Sequence, residues 1–364
     1  MAFLFILALN ATVITLCPPS IFAQPSEVSP PTPTPTPPAP SPPTNQPPPQ
    51  PTPKPKPAPV TTSPINPAAQ PAQPPKDPLL AAARLQTLLA RRGFSPGLID
   101  GKPGRKTRTA IEFFQRSRKL PITGEADAAT MSALAQEDTL ATTTDTWQRP
   151  YTLTSKDLAL VTGPIPEDWN ERAQLDVSGY SDTHELLAER GWCSLALVTT
   201  LNPGIDLTSL SEGDTVNLPD TRAPSLPPIA RLEIDLSEKY IVGYNADDLP
   251  VFLTHCSIAK SAEKRPAGRL TVKVIAANPD YTFNPKDWPE VTNVTSKLRI
   301  APGPRNPVGA AWIGLDKPGY GIHGTVRPQD IGKTGSHGCF RSLNWEALRL
   351  AHAVKAGTPV DVKD

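Results

Sequence analysis

Between Gly321 and Arg341 the chain reads GIHGTVRPQDIGKTGSHGCFR, which gathers two of its five histidines and one of its four cysteines into one glycine-rich run. Cysteine near histidine suggests acyl transfer. A thiol attacks as thiolate, and a neighbouring imidazole can take its proton and hold the resulting charge as an ion pair. Gly338 lets the backbone turn sharply just before Cys339, so the amides of Cys339, Gly338 and His337 can face the oxyanion of a reacting carbonyl. His323, arriving on a separate strand, and His337, inside the turn, both qualify as the base, and spacing leaves them even. Zinc is the rival chemistry. It needs a third and usually a fourth ligand beside His323, His337 and Cys339, and Asp330 is the only nearby acid. Arg341 offers a bidentate grip on a substrate carboxylate, or else a structural ion pair. Acyl transfer by these residues requires no metal and no organic cofactor.

A sheet must position this run. From residue 228 to 363, ARLEIDLSEKYIVGY places Leu232, Ile234 and Leu236 on one face and Tyr240, Val242 and Tyr244 beyond a polar turn, the pattern of a β-hairpin. PVFLTHCSIAK, GRLTVKVIAA and YGIHGTV extend the pattern to a mainly-β domain. One helix is expected at WEALRLAHAVKAG, ended by Gly357, before a closing strand TPVDV.

Upstream, residues 79–136 carry three short helical patterns. Leu85, Leu88 and Leu89 form one stripe, with Gly93 as a stop. Ala110, Ile111 and Phe114 form a second, and Asp127 caps a third with Met131 and Leu134 inward. Residues 151–220 read strand, helix, helix, strand, with Leu186, Leu187, Leu195 and Leu197 available for a core. The architecture expected is therefore multidomain α+β.

The N-terminal portion has another character. Residues 1–23 form a short apolar run ending in a small residue, as a secretory signal peptide does, although no Lys or Arg precedes it and retention as a membrane anchor is the alternative. Residues 24–78 are a disordered spacer: Pro25 to Pro78 holds 24 of the 48 prolines, and so apolar-poor a stretch stays extended rather than collapsing. A net charge of +1 gives no argument for nucleic acid. Three cysteines remain past residue 23, so Cys193, Cys256 and Cys339 cannot all be paired; a bridge between Cys193 and Cys256 is one option and buried thiols the other. A monomer, exported from the cell, is expected.

Three resemblances refine these readings. GIHGT followed by GSHGCFR resembles the signature of the L,D-transpeptidase catalytic domain (YkuD type), supported by Pro266 and Gly268 in RPAGRL and by Asn306, Pro307 and Gly309 in PRNPVG. The resemblance implies Cys339 as nucleophile, His323 as its base, and the Gly324 carbonyl as the group that orients the imidazole. It further implies that Ser336, His337, Arg341 and Tyr320 shape the substrate pocket, that peptidoglycan stem peptides are the substrate, and that carbapenems inhibit. Leu85-Gln86, Ile99-Asp100-Gly101, Gly104, Thr107, Phe114-Gln115, Leu120, Thr123-Gly124, Thr130 and Leu134 resemble the motif of a peptidoglycan-binding domain. The tail LSEGDTVNLP, from Leu210 to Pro219, resembles a LysM module, which implies glycan binding, although PIPEDWNERAQLDVSGY is an insertion foreign to a compact LysM.

Overall fold

A computed structural model describes residues 75–136, 147–336 and 338–364. The expected signal segment, nearly all of the proline-rich spacer, and His337 lie outside the described residues. No helix among the described residues is long and apolar enough to cross a membrane.

The first helical segment comprises α1 (Pro78–Arg91), α2 (Arg105–Ser117) and α3 (Ala128–Gln136). Asp77 caps α1 by accepting from the Leu79 amide at 2.9 Å, with Pro78 at the first helical position, where its missing N–H is no loss. Two buried glutamines fasten the loops. Gln86 Oε1 accepts from the Asp100 and Gly101 amides at 2.9 and 2.8 Å. Gln115 does the same for Thr123 and Gly124 at 2.9 and 3.0 Å, while its Nε2 donates to Thr130 Oγ1 at 2.9 Å. Leu88, Leu89, Ala110, Ile111, Phe114 and Leu134 fill the space between.

The middle segment is bracketed by β1 (Gln148–Thr152) and β2 (Thr215–Pro219), which pair antiparallel. Between them run α4 (Ser155–Leu158), α5 (Trp169–Arg172), α6 (Thr183–Arg190) and α7 (Leu195–Leu201). The strands and the two longer helices follow the expected order; the one-turn α4 follows β1 directly, and the insertion contributes the one-turn α5. Leu186, Leu187 and Leu197 are buried, but Leu195 is 49% exposed. It follows the Ser194 cap directly, and the inward stripe of this two-turn helix falls on Leu197 and Val198 instead.

The last segment contains β3 (Arg231–Asp235), β4 (Tyr240–Tyr244), β5 (Pro250–His255), β6 (Ile258–Ala259), β7 (Gly268–Ala277), β8 (Tyr281–Phe283), β9 (Leu298–Ile300), β10 (Ala311–Leu315), β11 (Gly321–His323), β12 (Thr334–Ser336), β13 (Phe340–Arg341), α8 (Asn344–Ala353) and β14 (Pro359–Lys363). Eight strands form one sheet in the order β13-β11-β10-β7-β14-β3-β4-β5. One face, with Leu232, Ile234, Ile241, Phe252, Val272, Ile313, Ile322, Phe340 and Val360, packs under Ala347, Leu350 and Ala351 of α8. The helix stops at Ala353, four residues short of Gly357, because Val354 turns extended; Gly357, at φ 90°, instead makes the turn into β14. Cys193 and Cys256 are free thiols in two separate cores, so the bridge considered between them does not form.

The helical segment is not a bead on a string. Phe94 bridges to Leu253 of β5, through Ser95 N–H to Leu253 O at 2.9 Å and Leu253 N–H to Gly93 O at 2.8 Å. Val242, Tyr244 and Leu253, on the sheet face opposite α8, pack among Phe94, Phe113 and Phe114, and Phe113 meets Tyr240 edge-on at 5.2 Å. Arg91, 2% exposed, forms an ion pair with Asp220, 1% exposed, at 2.9 Å. Asp220 is also paired with Arg222 at 2.6 Å and Arg149 at 3.5 Å, so the carboxylate gathers three guanidinium groups.

Deleting residues 75–136 is therefore expected to uncover Val242, Tyr244 and Leu253, at about 1.5–3 kcal/mol for each exposed side chain. The truncated chain should melt well below the parent and bind an apolar-surface dye. Melting at the parental temperature would show instead that the sheet stands independently.

Candidate active site

Strand alternation decides which side chains reach the site. In β11, β10 and β13, Ile322, Ile313 and Phe340 point into the core beneath α8. Their neighbours Trp312, His323 and Arg341 take the opposite face and form one row, since Trp312 registers with His323 and His323 with Arg341. Cys339, two residues before Arg341, enters this row where the chain turns into β13.

His323 is 7% exposed. Its Nδ1 lies 2.7 Å from the Gly324 carbonyl oxygen, which fixes a tautomer with the proton on Nδ1 and leaves Nε2 as the basic nitrogen. The Trp312 indole stacks on the imidazole at 5.7 Å between centroids and 29° between planes. Burial pulls the imidazole down to about 4, the Gly324 carbonyl opposing and the Arg341 guanidinium reinforcing this. At neutral pH the ring is an uncharged base.

The Cys339 thiol donates to the Gly319 carbonyl at 3.3 Å. Burial raises its pKa, while a hydrogen bond from the Gly321 backbone and the charge of Arg341 act the other way. This corrects the ion pair expected from the sequence. Taking both groups out of water disfavours both charged forms, so the resting site holds thiol and neutral imidazole.

The other predicted site residues are placed as follows. Gly338 sits against Tyr320: an added Cβ would lie 3.3 Å from the phenol ring, so the glycine lets the turn lie flat on it. Arg341 Nε is buried with no hydrogen-bond partner among the described residues, and Asp330 makes its own ion pair with Lys333 at 3.0 Å. The Arg341 backbone is held by Ser257, at 2.8 and 3.0 Å. Ser336 lies in β12; its side chain, like His337, is outside the described residues.

Three features escaped the sequence reading. Trp312 lies in β10, outside the alternating runs picked out from the sequence, so nothing in residue order marked it as the cross-strand neighbour of His323. Tyr281, in β8, is raised chiefly by burial. Its hydroxyl accepts from Trp288 Nε1 at 3.3 Å, and Trp169, from the middle segment's insertion, stacks on Phe283 at 4.2 Å. The insertion thus joins an aromatic cluster with Tyr281, Phe283 and Trp288. Asn344, five residues after Cys339, is the third; its amide joins Ala310, Thr325, Pro304 and Glu189.

A neutral resting pair has a measurable signature. The pH profile of Cys339 alkylation by iodoacetamide should have its midpoint above the ordinary thiol value of about 8.5, because the thiolate is the reactive form and burial holds it off until higher pH. A midpoint near 6 would show a preformed ion pair.

Comparison with known proteins bears on the whole assembly. Residues 229–362 match the family model of the L,D-transpeptidase catalytic domain (YkuD), and residues 81–134 match that of the putative peptidoglycan-binding domain. The putative L,D-transpeptidase YkuD of Bacillus licheniformis is 30% identical over 161 residues, covering 44% of this chain and 81% of that protein. The putative L,D-transpeptidase YqjB of Bacillus subtilis is 34% identical over 137 residues, covering 34% of this chain and 70% of that one. Among solved structures, the catalytic domain of the Enterococcus faecium L,D-transpeptidase acylated by ertapenem is 21% identical, covers 37% of this chain and 98% of that chain, and has a TM-score of 0.29. With the catalytic-domain signature matched and most of two relatives covered, the chain belongs to the L,D-transpeptidase family and carries a peptidoglycan-binding domain ahead of its catalytic domain.

Proposed function

We propose that Cys339 and His323 carry the transpeptidase reaction of this chain; the observation behind the assignment is the row in which His323 and Arg341 face each other beside Cys339. As Sγ attacks the carbonyl of the third residue of a donor stem, Nε2 of neutral His323 takes the thiol proton. The Gly324 carbonyl holds the opposite nitrogen in place. The oxyanion is received by the amides of Cys339, Gly338 and His337. Collapse breaks the bond to the fourth residue, and its amine leaves with the proton from His323. A thioester remains on Cys339. An acceptor amine then gives its proton to His323 and attacks the thioester, forming the new amide and returning the thiol. Arg341, whose Nε has no partner among the described residues, is suited to a stem carboxylate, and the family resemblance assigns Tyr320 and Ser336 to the same pocket.

The remaining parts fit the same reading. Residues 79–136, as a compact three-helix unit, grip peptidoglycan, and residues 151–220, as a LysM-like unit, add contact with glycan. Residues 1–23 direct export, residues 24–78 space the body from its point of attachment, and residues 228–363 form the catalytic domain. The enzyme works as a monomer in the periplasm or at the wall. Water in place of the amine would make the same site an L,D-carboxypeptidase, and a protein amine would make it an attachment enzyme.

Incubation with a carbapenem should add the drug's mass to the parent chain, and Cys339→Ala should show no adduct while keeping the parental circular dichroism. An adduct on the alanine variant would remove Cys339 from its role. Mass spectrometry of muropeptides treated with the parent should show dimers joined through third-position residues; tripeptides alone would assign hydrolysis.

A further inference from the structure

The peptide unit that orients His323 is itself held by Asn344, and the chain of bonds through Asn344 reaches a residue outside the catalytic domain. The carbonyl of this unit belongs to Gly324 and faces His323 Nδ1 at 2.7 Å. Its N–H belongs to Thr325 and points the other way, donating to Asn344 Oδ1 at 3.0 Å. The same oxygen accepts from Ala310 N–H at 3.2 Å. Asn344 Nδ2 donates to Pro304 O at 3.0 Å and to the Glu189 carboxylate at 3.1 Å. With two donors and two acceptors used, the amide is saturated and 2% exposed, so it has one orientation. The fit around it is close: an added Cβ on Gly309 or Gly324 would fall 2.1 Å from Asn344 Oδ1.

These bonds run head to tail. From His323 Nδ1–H the direction of donation passes to the Gly324 carbonyl, through that peptide to Thr325 N–H, through the Asn344 amide to Nδ2–H, and ends on a carboxylate. Amide groups aligned in this way polarise one another in a dry interior, and an anionic terminus strengthens every member. A carboxylate directly on the imidazole does this in hydrolytic triads; here two amides intervene. Glu189 lies half-buried on α6 of the middle segment, its carboxylate bonded to Asn344, and is raised to about 7 chiefly by its removal from water, with the hydrogen bonds from Asn344 and Tyr180 and the charge of Arg190 opposing.

We propose that Glu189, through Asn344, is a positioning residue for His323: the terminal acceptor of an amide-bridged chain by which the middle segment orients and polarises the catalytic base. The middle segment then completes the active site in addition to any contact it makes with the wall. This rests on the reading of His323 as the base.

The test compares parent, Glu189→Ala, Glu189→Gln and His323→Ala, all as full chains, by carbapenem acylation with rates normalised to titrated folded sites. Glu189→Ala should slow the first-order acylation step by about tenfold, the effect of one lost buried acceptor, with the drug's non-covalent dissociation constant unchanged. Glu189→Gln, which keeps an acceptor oxygen, should recover most of the rate. Independently of turnover, the proton resonance of His323 Nδ1–H should move upfield in Glu189→Ala and less in Glu189→Gln. Parental acylation and an unmoved resonance in Glu189→Ala would overturn the proposal, as would a loss confined to drug binding. Parental acylation by His323→Ala would instead sink the assignment of the base while leaving the resonance test standing.

Discussion

The active site depends on the parallel pairing of two very short strands. β11 and β13 share only the pairs Ile322 with Phe340 and His323 with Arg341, yet this register puts the base beside the chain that carries the thiol. A slip of one residue would turn His323 into the core and Ile322 into the cleft. So short a pairing cannot hold itself. Support comes from β10 on the far side of β11, from Ser257 bound to the Arg341 backbone, and from Ser342 N–H donating to the His323 carbonyl at 2.8 Å.

The surroundings then determine how the pair is charged. Trp312 over one side of the imidazole and the packed strands beneath it exclude water, so the ring stays neutral and basic. Burial of Cys339 keeps the sulfur protonated at rest. Proton transfer is thereby deferred until a substrate carbonyl and the oxyanion amides are present to stabilise the charge that forms, which limits alkylation or oxidation of an idle thiolate.

Much of this was legible from residue order, for physical reasons that can be named. Binary alternation gave the hairpin of β3 and β4, because Leu232 and Ile234 must be dry while their neighbours need not be. The helices around Leu88, Phe114 and Leu134 followed from their stripes and from Asp127 as a cap. The charge state of the site was not legible: proximity of histidine to cysteine suggests an ion pair, and only burial, a property of the whole fold, reverses it. Leu195 and the end of α8 were misread because periodicity locates an apolar residue without saying which helix face the neighbours leave open. The insertion around Trp169 packs with Tyr281, Phe283 and Trp288 of the last segment, a partnership that residue order does not reveal.

The two glycines beneath Asn344 bear on what a family signature certifies. Gly309 and Gly324 lie far apart in the chain, in segments that family resemblance picks out, and neither has a role in bond making. Both are glycine because one amide oxygen occupies the volume where a methyl group would stand. These two positions of the recognisable pattern therefore record a three-way steric fit among separate segments. A descendant that lost its sulfur would keep that fit, and would still be recognised as kin after its chemistry had gone.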